Sequence, residues 1–80
     1  MALLNGGEWI DDSELIVILD TPDPSITYFC RTKAGNWTTA GKALAQWQIW
    51  INDADGNKLF AQGISRFKHV YNDRAGYTYK

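Results

Sequence analysis

Few residues in this chain have both the type and the spacing to do chemistry. The acidic turn "NDADGN" at 52–57 comes closest to a metal site. Asp53, Asp55 and Asn57 alternate as the first ligands of a calcium-binding helix-loop-helix do. The sharp-turn glycine should then follow Asn57, but Lys58 stands there, and Ile64 occupies the twelfth position, where a bidentate glutamate is needed. The segment is expected to be a hairpin turn, with no metal.

His69 is the single histidine and Cys30 the single cysteine. A nucleophile and its base could be built from such a pair, but no local pattern supports it. Cys30 lies in an apolar run, where a free cysteine packs as a small hydrophobe. His69, next to Lys68, is expected on the solvated side of a short helix. No phosphate-binding glycine loop, nucleophile elbow or metalloprotease helix is present. We therefore expect no catalytic residue, no metal ligand, no cofactor and no enzymatic activity.

The remaining candidates are contact residues. Trp47 and Trp50 stand three positions apart in "QWQIWIN", so they fall on opposite faces of a strand. Trp47 shares its face with Ile49 and Ile51 and is assigned to the core. Trp50 lies with Gln46 and Gln48 and is a candidate partner-binding residue, together with Trp37, Tyr77, Tyr79 and Arg74. Trp, Tyr and Arg are the side chains enriched at the energetic centres of interfaces. For Tyr77 and Tyr79 core packing competes with this reading. For Arg74 an intramolecular bridge or a carbonyl cap competes with an inter-subunit contact, because exposed ion pairs contribute little.

The elements that must position these residues read as a mainly β chain. "ELIVILDT" is a strand, read as buried, that ends at the prolines of "TPDPS". "ITYFCRTK" follows with an aromatic on each face, and "QWQIWIN" and "KLFAQG" flank the acidic turn as a hairpin. After Gly63 the apolar spacing changes to threes and fours. Ile64, Phe67, Val70, Tyr71 and Arg74 would share one face of a short helix. "AGYTYK" returns to alternation as a last strand. The expected fold is a small antiparallel sandwich or barrel over residues 1–80, with one or two helical turns. Residues 1–8 form an extended N-terminal arm that could exchange with a neighbour.

Composition limits the function classes. The 80 residues make one small domain with a marginal core, yet 14% of them are aromatic. Part of that load is expected at a surface or a partner. A net charge of −1 lacks the electrostatic drive for nucleic-acid binding. No apolar run approaches the roughly 20 residues of a membrane helix. One cysteine and no signal-like start point to folding in a reducing compartment.

Two blocks add a resemblance. "YFCRTKAGNWTTAGKALAQWQIWIND" and "FAQGISRFKHVYNDRAGYTYK", residues 28–53 and 60–80, resemble small virion-associated proteins of tailed bacteriophages. In the second block Phe60, Ala61, Gly63, Phe67, Val70, Tyr71, Asp73, Arg74, Ala75, Thr78 and Tyr79 follow the family order. Gln62 replaces a usual acid, and Tyr71 a common Trp. The resemblance implies a non-enzymatic virion structural protein (capsid decoration, head–tail or tail component) made in the host cytoplasm. Its partners would be other copies of itself or a larger capsid or tail protein, and neither nucleic acid nor a membrane. The rival readings are a small β-barrel binding module, with Trp37, Trp50 and Phe29 as a stacking platform, and a phage-encoded inhibitor of a host protein.

Overall fold

A computed structural model describes residues 1–80. Its first two strands, β1 (Ala2–Leu3) and β2 (Trp9–Ile10), pair antiparallel, with Ala2 opposite Ile10 and Leu3 opposite Trp9. Gly6 and Gly7 make the connection at φ values of 100° and 93°, in the left-handed region that glycine adopts without a Cβ penalty. Residues 1–8 are thus not an extended arm. They fold back, because Ala2 and Leu4 bury against Ile10 and Phe67 in a small core of their own.

A 3-10 turn at Asp12–Glu14 leads into the main sheet. Its start is a capping box, in which the Asp11 carboxylate accepts the Ser13 N–H and the Glu14 carboxylate accepts the Asp11 N–H. The sheet is antiparallel and contains β3 (Leu15–Asp23), β4 (Ile26–Lys33), β5 (Ala45–Asn52), β6 (Lys58–Phe60) and β7 (His69–Val70). The spatial order is β3-β4-β5-β6, with β7 also on β5. β3 does not stop before its first proline. It bulges between Asp20 and Asp23 and carries Pro22 inside the strand, which an edge position tolerates because no ladder donor is needed there.

β6 and β7 share one edge of β5. β6 covers Trp50–Asn52, the Ala61 N–H donates to the Ile49 carbonyl, and β7 covers Ala45 and Trp47. They act as one returning strand interrupted by an excursion through residues 62–68. That excursion carries Phe67 out to the N-terminal hairpin, where it bridges to Leu4 and accepts the Asn5 N–H.

The helix expected across Ile64 to Arg74 is absent, and this corrects the periodicity reading. The edge of β5 at Ala45–Trp47 leaves backbone groups that need partners, and His69–Val70 supply them as a strand. Only then does the chain turn, as a 3-10 segment at Tyr71–Gly76. The expected last strand reduces to a single bridge, Ala61 to Tyr79.

The main core lies on one face of the sheet. Tyr28, Cys30, Trp47, Ile49, Ala61 and Tyr71 form it, with Ile18, Ile51, Tyr77 and Tyr79 packed around them. Trp47 is fully buried, as its strand face requires, and its indole N–H donates to the Gly41 carbonyl at 3.0 Å. The architecture is mainly β, two antiparallel sheets in one small domain.

Candidate functional site

The other face of the sheet carries the candidate surface. Register places Leu19, Phe29, Trp50 and Phe60 opposite one another in a single row across β3, β4, β5 and β6. Cross-strand neighbours of this kind are the unit of side-chain contact on a sheet. The middle of the row covers itself. The Phe29 and Trp50 rings stack nearly parallel, with centroids 5.4 Å apart and an 8° angle. Phe60 tilts against Trp50 from the far side, and the Lys58 ammonium lies 4.6 Å from the Trp50 ring centre. Trp50 is therefore only 7% exposed and does not stand out as a free ring; farther along the same face Gln46 donates to the Asn5 carbonyl and Gln48 to the Ser65 carbonyl.

The row opens at its β3 end, where Leu19 is 60% and Val17 44% exposed. "LIVIL" is thus an edge strand with one covered face, rather than a strand buried on both sides. Ile16 and Ile18 turn toward the core and Val17 and Leu19 away from it.

The C-terminal candidates are engaged within the chain. The Arg74 Nε donates to Asp20 Oδ2 at 2.6 Å, its Nη1 donates to the Tyr71 carbonyl, and the guanidinium lies 4.2 Å from the Tyr71 ring centre. Burial is the largest single influence and opposes the Arg74 charge, but the bond to Asp20 and the charge interactions with Tyr71, Asp20 and Cys30 together outweigh it and move the pKa up. The Tyr79 hydroxyl donates to the Arg74 carbonyl, and the Tyr77 hydroxyl accepts the Val70 N–H. Burial pushes the Tyr79 hydroxyl far above its ordinary range, so it remains a donor. Arg74 is both the bridge and the carbonyl cap, and it ties the 3-10 turn to β3 across 54 residues of chain. The two tyrosines brace that tie.

Trp37 is 43% exposed, but it belongs to the opposite side of the sheet. Its ring meets Trp47 and Tyr71 edge-on, and the Lys42 ammonium sits 4.2 Å from its centre. The structure does not bring Trp37 together with Phe29 and Trp50. Those two stack on each other instead of presenting open faces, so the stacking platform is not assembled.

Cys30 is fully buried, and desolvation pushes its thiol up to about 12. It faces Ile49 across β4–β5, whereas His69 faces Trp47 across β5–β7, and no hydrogen bond joins the two. The Asp53 carboxylate closes its own turn by accepting the N–H groups of Asn57 and Asp55. No group of three or more His, Cys, Asp or Glu side chains is placed to hold a metal ion. The larger of two open clefts, about 370 Å³, runs between the Gly6–Gly7 turn and Arg66–Lys68, and it brings no acid beside a base. No helix is long and apolar enough to cross a membrane.

His69 corrects the expectation of a solvated ring. Pairing with β5 turns it inward to 2% exposure, edge-on to Tyr77, with Nε2 3.3 Å from Gln62 Oε1 and Nδ1 without a partner. Burial lowers its pKa below 6.5, with the Lys68 charge acting in the same direction. A depressed folded-state pKa means that the unfolded chain takes up the proton first. Stability is then fully present above pH 6.5 and falls as the pH drops through the folded value. The expected slope reaches at most about 1.4 kcal/mol per pH unit, and denaturant melts between pH 7.5 and 5 measure it. His69→Phe should flatten that dependence. Gln62→Glu should raise the ring's pKa, read by NMR titration, because a carboxylate favours the imidazolium.

Sequence reading did not single out Val17 and Leu19. The available signal was alternation within "LIVIL", which places Leu15, Val17 and Leu19 on the face opposite Ile16 and Ile18. Trp9, 61% exposed and opposite the exposed Leu3, was likewise unmarked. The chain matches no family model, no curated protein and no solved structure. What fold and surface define is a class: a small antiparallel β domain with one packed sheet face and, on the other, an apolar row left open at the β3 edge.

Proposed function

We propose that this chain is a non-enzymatic structural component of a tailed-bacteriophage particle, acting through protein–protein contacts. The observation that carries the proposal is the apolar row on the outer sheet face. It ends in the exposed Leu19, beside the also outward and exposed Val17, on a strand with a free edge. A small domain gains nothing for its own core from Val17 and Leu19 at that position, whereas a neighbouring subunit would bury them. The resemblance of residues 28–53 and 60–80 to virion-associated proteins supports the same reading. Each contact would be weak, and repetition over a symmetric shell or tube multiplies weak contacts. The partners would be further copies or a larger capsid or tail protein.

Quantitative mass spectrometry of purified particles tests this directly. The chain should be present in a fixed number of copies per particle, a multiple set by the symmetry of its position. Absence from particles overturns the proposal.

A further inference from the structure

The direction of the backbone groups along β3 follows from the ladder. In an antiparallel sheet the N–H and C=O of one residue point to the same side, and the side alternates along the strand. The Ile49 carbonyl accepts from Ala61, on the β6 side, so Ile49 and its partner Cys30 do not bond each other across β4–β5. Cys30 directs its groups toward β3, where it faces Ile18. By the same alternation Ile16, Ile18 and Asp20 bond to β4. Val17 and Leu19 direct their N–H and C=O groups out of the sheet, and no turn or loop backbone group reaches them. The Leu15 N–H is already held by the Asp12 carbonyl.

The two outer edges of the sheet are treated differently. The β6 edge is closed by the chain's own C-terminal segment. The Phe60 carbonyl accepts from both Gly63 and Lys80, and the Gln62 N–H donates to Thr78. The β3 edge has no such cover and no lysine between Leu15 and Leu19 to discourage pairing.

We infer that the β3 edge pairs antiparallel with the β3 edge of a second copy, on a two-fold axis passing beside Ile18. The inference deepens the structural role proposed above, and for its biological purpose it rests on that reading. Side-chain pattern selects the occupant, and the backbone groups left free select the register. The five uncharged residues Leu15–Leu19 are bracketed by Glu14 and Asp20, so a partner strand must be apolar opposite the middle and avoid acids opposite both ends. This same segment, inverted, satisfies that demand. With Ile18 on the axis, Val17 lies opposite Leu19 of the second copy, Asp20 opposite Ile16, and Glu14 opposite Pro22. A register centred on Val17 would instead set Leu19 opposite Leu15, whose N–H is already held by the Asp12 carbonyl, and so would lose ladder bonds.

The outward groups of Val17 and Leu19 then bond across the axis, and their exposed side chains meet as one continuous apolar row. A contact confined to a strand edge falls short of the roughly 1,200 Å² of stable interfaces, so the dimer is weak and dissociates on dilution.

Sedimentation equilibrium of the purified chain reads this pairing without reference to particles, so the two proposals fail separately. The weight-average mass should rise from one chain toward two as concentration increases to ~1 mM, a range suited to weak pairing. Val17→Pro removes an outward donor while leaving the β3–β4 ladder bonds in place. Leu19→Lys retains every backbone group and adds an edge charge. Each should weaken association about tenfold or more, from the loss of paired hydrogen bonds or apolar contact in both copies. Register is read with Leu19→Cys and a short bismaleimide. In the Ile18-centred pairing the two positions lie about 8 Å apart, from strand rise and spacing, and should cross-link; buried Cys30 does not compete. A mass that stays at one chain throughout, or both edge variants associating like the unmodified chain, overturns the inference.

Discussion

Replacing Trp47 with alanine is expected to abolish, or nearly abolish, the folded state. The side chain has no exposed surface and sits where the sheet, the 34–45 loop and the C-terminal turn meet. It contacts the rings of Trp37 and Tyr71, with centroids 6.4 and 4.9 Å away, and its N–H satisfies the Gly41 carbonyl. Removing a buried Trp in this way costs about 3–5 kcal/mol, because the lost transfer free energy is joined by a cavity that neighbours fill only in part. A chain of this length has total stability of about 4–12 kcal/mol, so the variant would be marginal at best. Denaturant unfolding followed by near-ultraviolet circular dichroism measures the loss. Trp47→Phe separates the two contributions. It retains a ring but removes the indole donor to the Gly41 carbonyl, which keeps its bond from the Leu44 N–H, for an expected hydrogen-bond cost of about 0.5–1.5 kcal/mol. Equal stability of Trp47→Ala and the unmodified chain would contradict the core assignment.

The second large effect is expected from the smallest change. Gly41 packs directly on the backbone of Asn36, so a Cβ there would lie 2.5 Å from the Asn36 Cα and still closer to its carbonyl oxygen. Both partners in that clash are main chain, and neither is free to move. The Asn36 amide donates to Thr32 Oγ1 and Gln46 Oε1, while the Thr32 hydroxyl donates to the Gln46 carbonyl. Gly41 itself accepts from Trp47 and donates to Thr38 Oγ1. Gly41→Ala must push this buried polar network apart, at a cost of about 1–3 kcal/mol or more for overpacking. Gly35→Ala is the matched control, since a Cβ there meets nothing within 4 Å, and it should melt with the unmodified chain. Comparing the two denaturant midpoints tests the assignment. Similar midpoints would mean that the loop yields more easily than its hydrogen bonds imply.

The strands were legible where alternation was clear. In β5 the face of Trp47, Ile49 and Ile51 is the packed one, and the acidic turn after it closes a hairpin as its residue types imply. Asp53 bonding its own turn is the hairpin role that the residue types of "NDADGN" implied. Arg74 was readable in part. Its plain role as bridge and cap is the one it has, although nothing local indicated that Asp20 would be the acid. The segment from Ile64 to Arg74 was misread because spacings of three and four also arise when a strand pair is followed by a 3-10 turn. His69 faces inward for the same reason, since its place opposite Trp47 depends on which edge of β5 lacked a partner.

Amino-acid order alone determined the β class, the location of the main hairpin, and the face of β5 that would be dry, because each depends on residues close in sequence. Which aromatic rings are covered was decided only by tertiary structure. Trp50 lies on the open face and is still sheltered, since register sets Phe29 and Phe60 beside it from two other strands. Val17 and Leu19 have the composition of core residues and are exposed, since their strand has a neighbour on one side only. Burial on a sheet depends on strand order and on what covers each face. Both are set by contacts between distant segments, which a local pattern of residues does not contain.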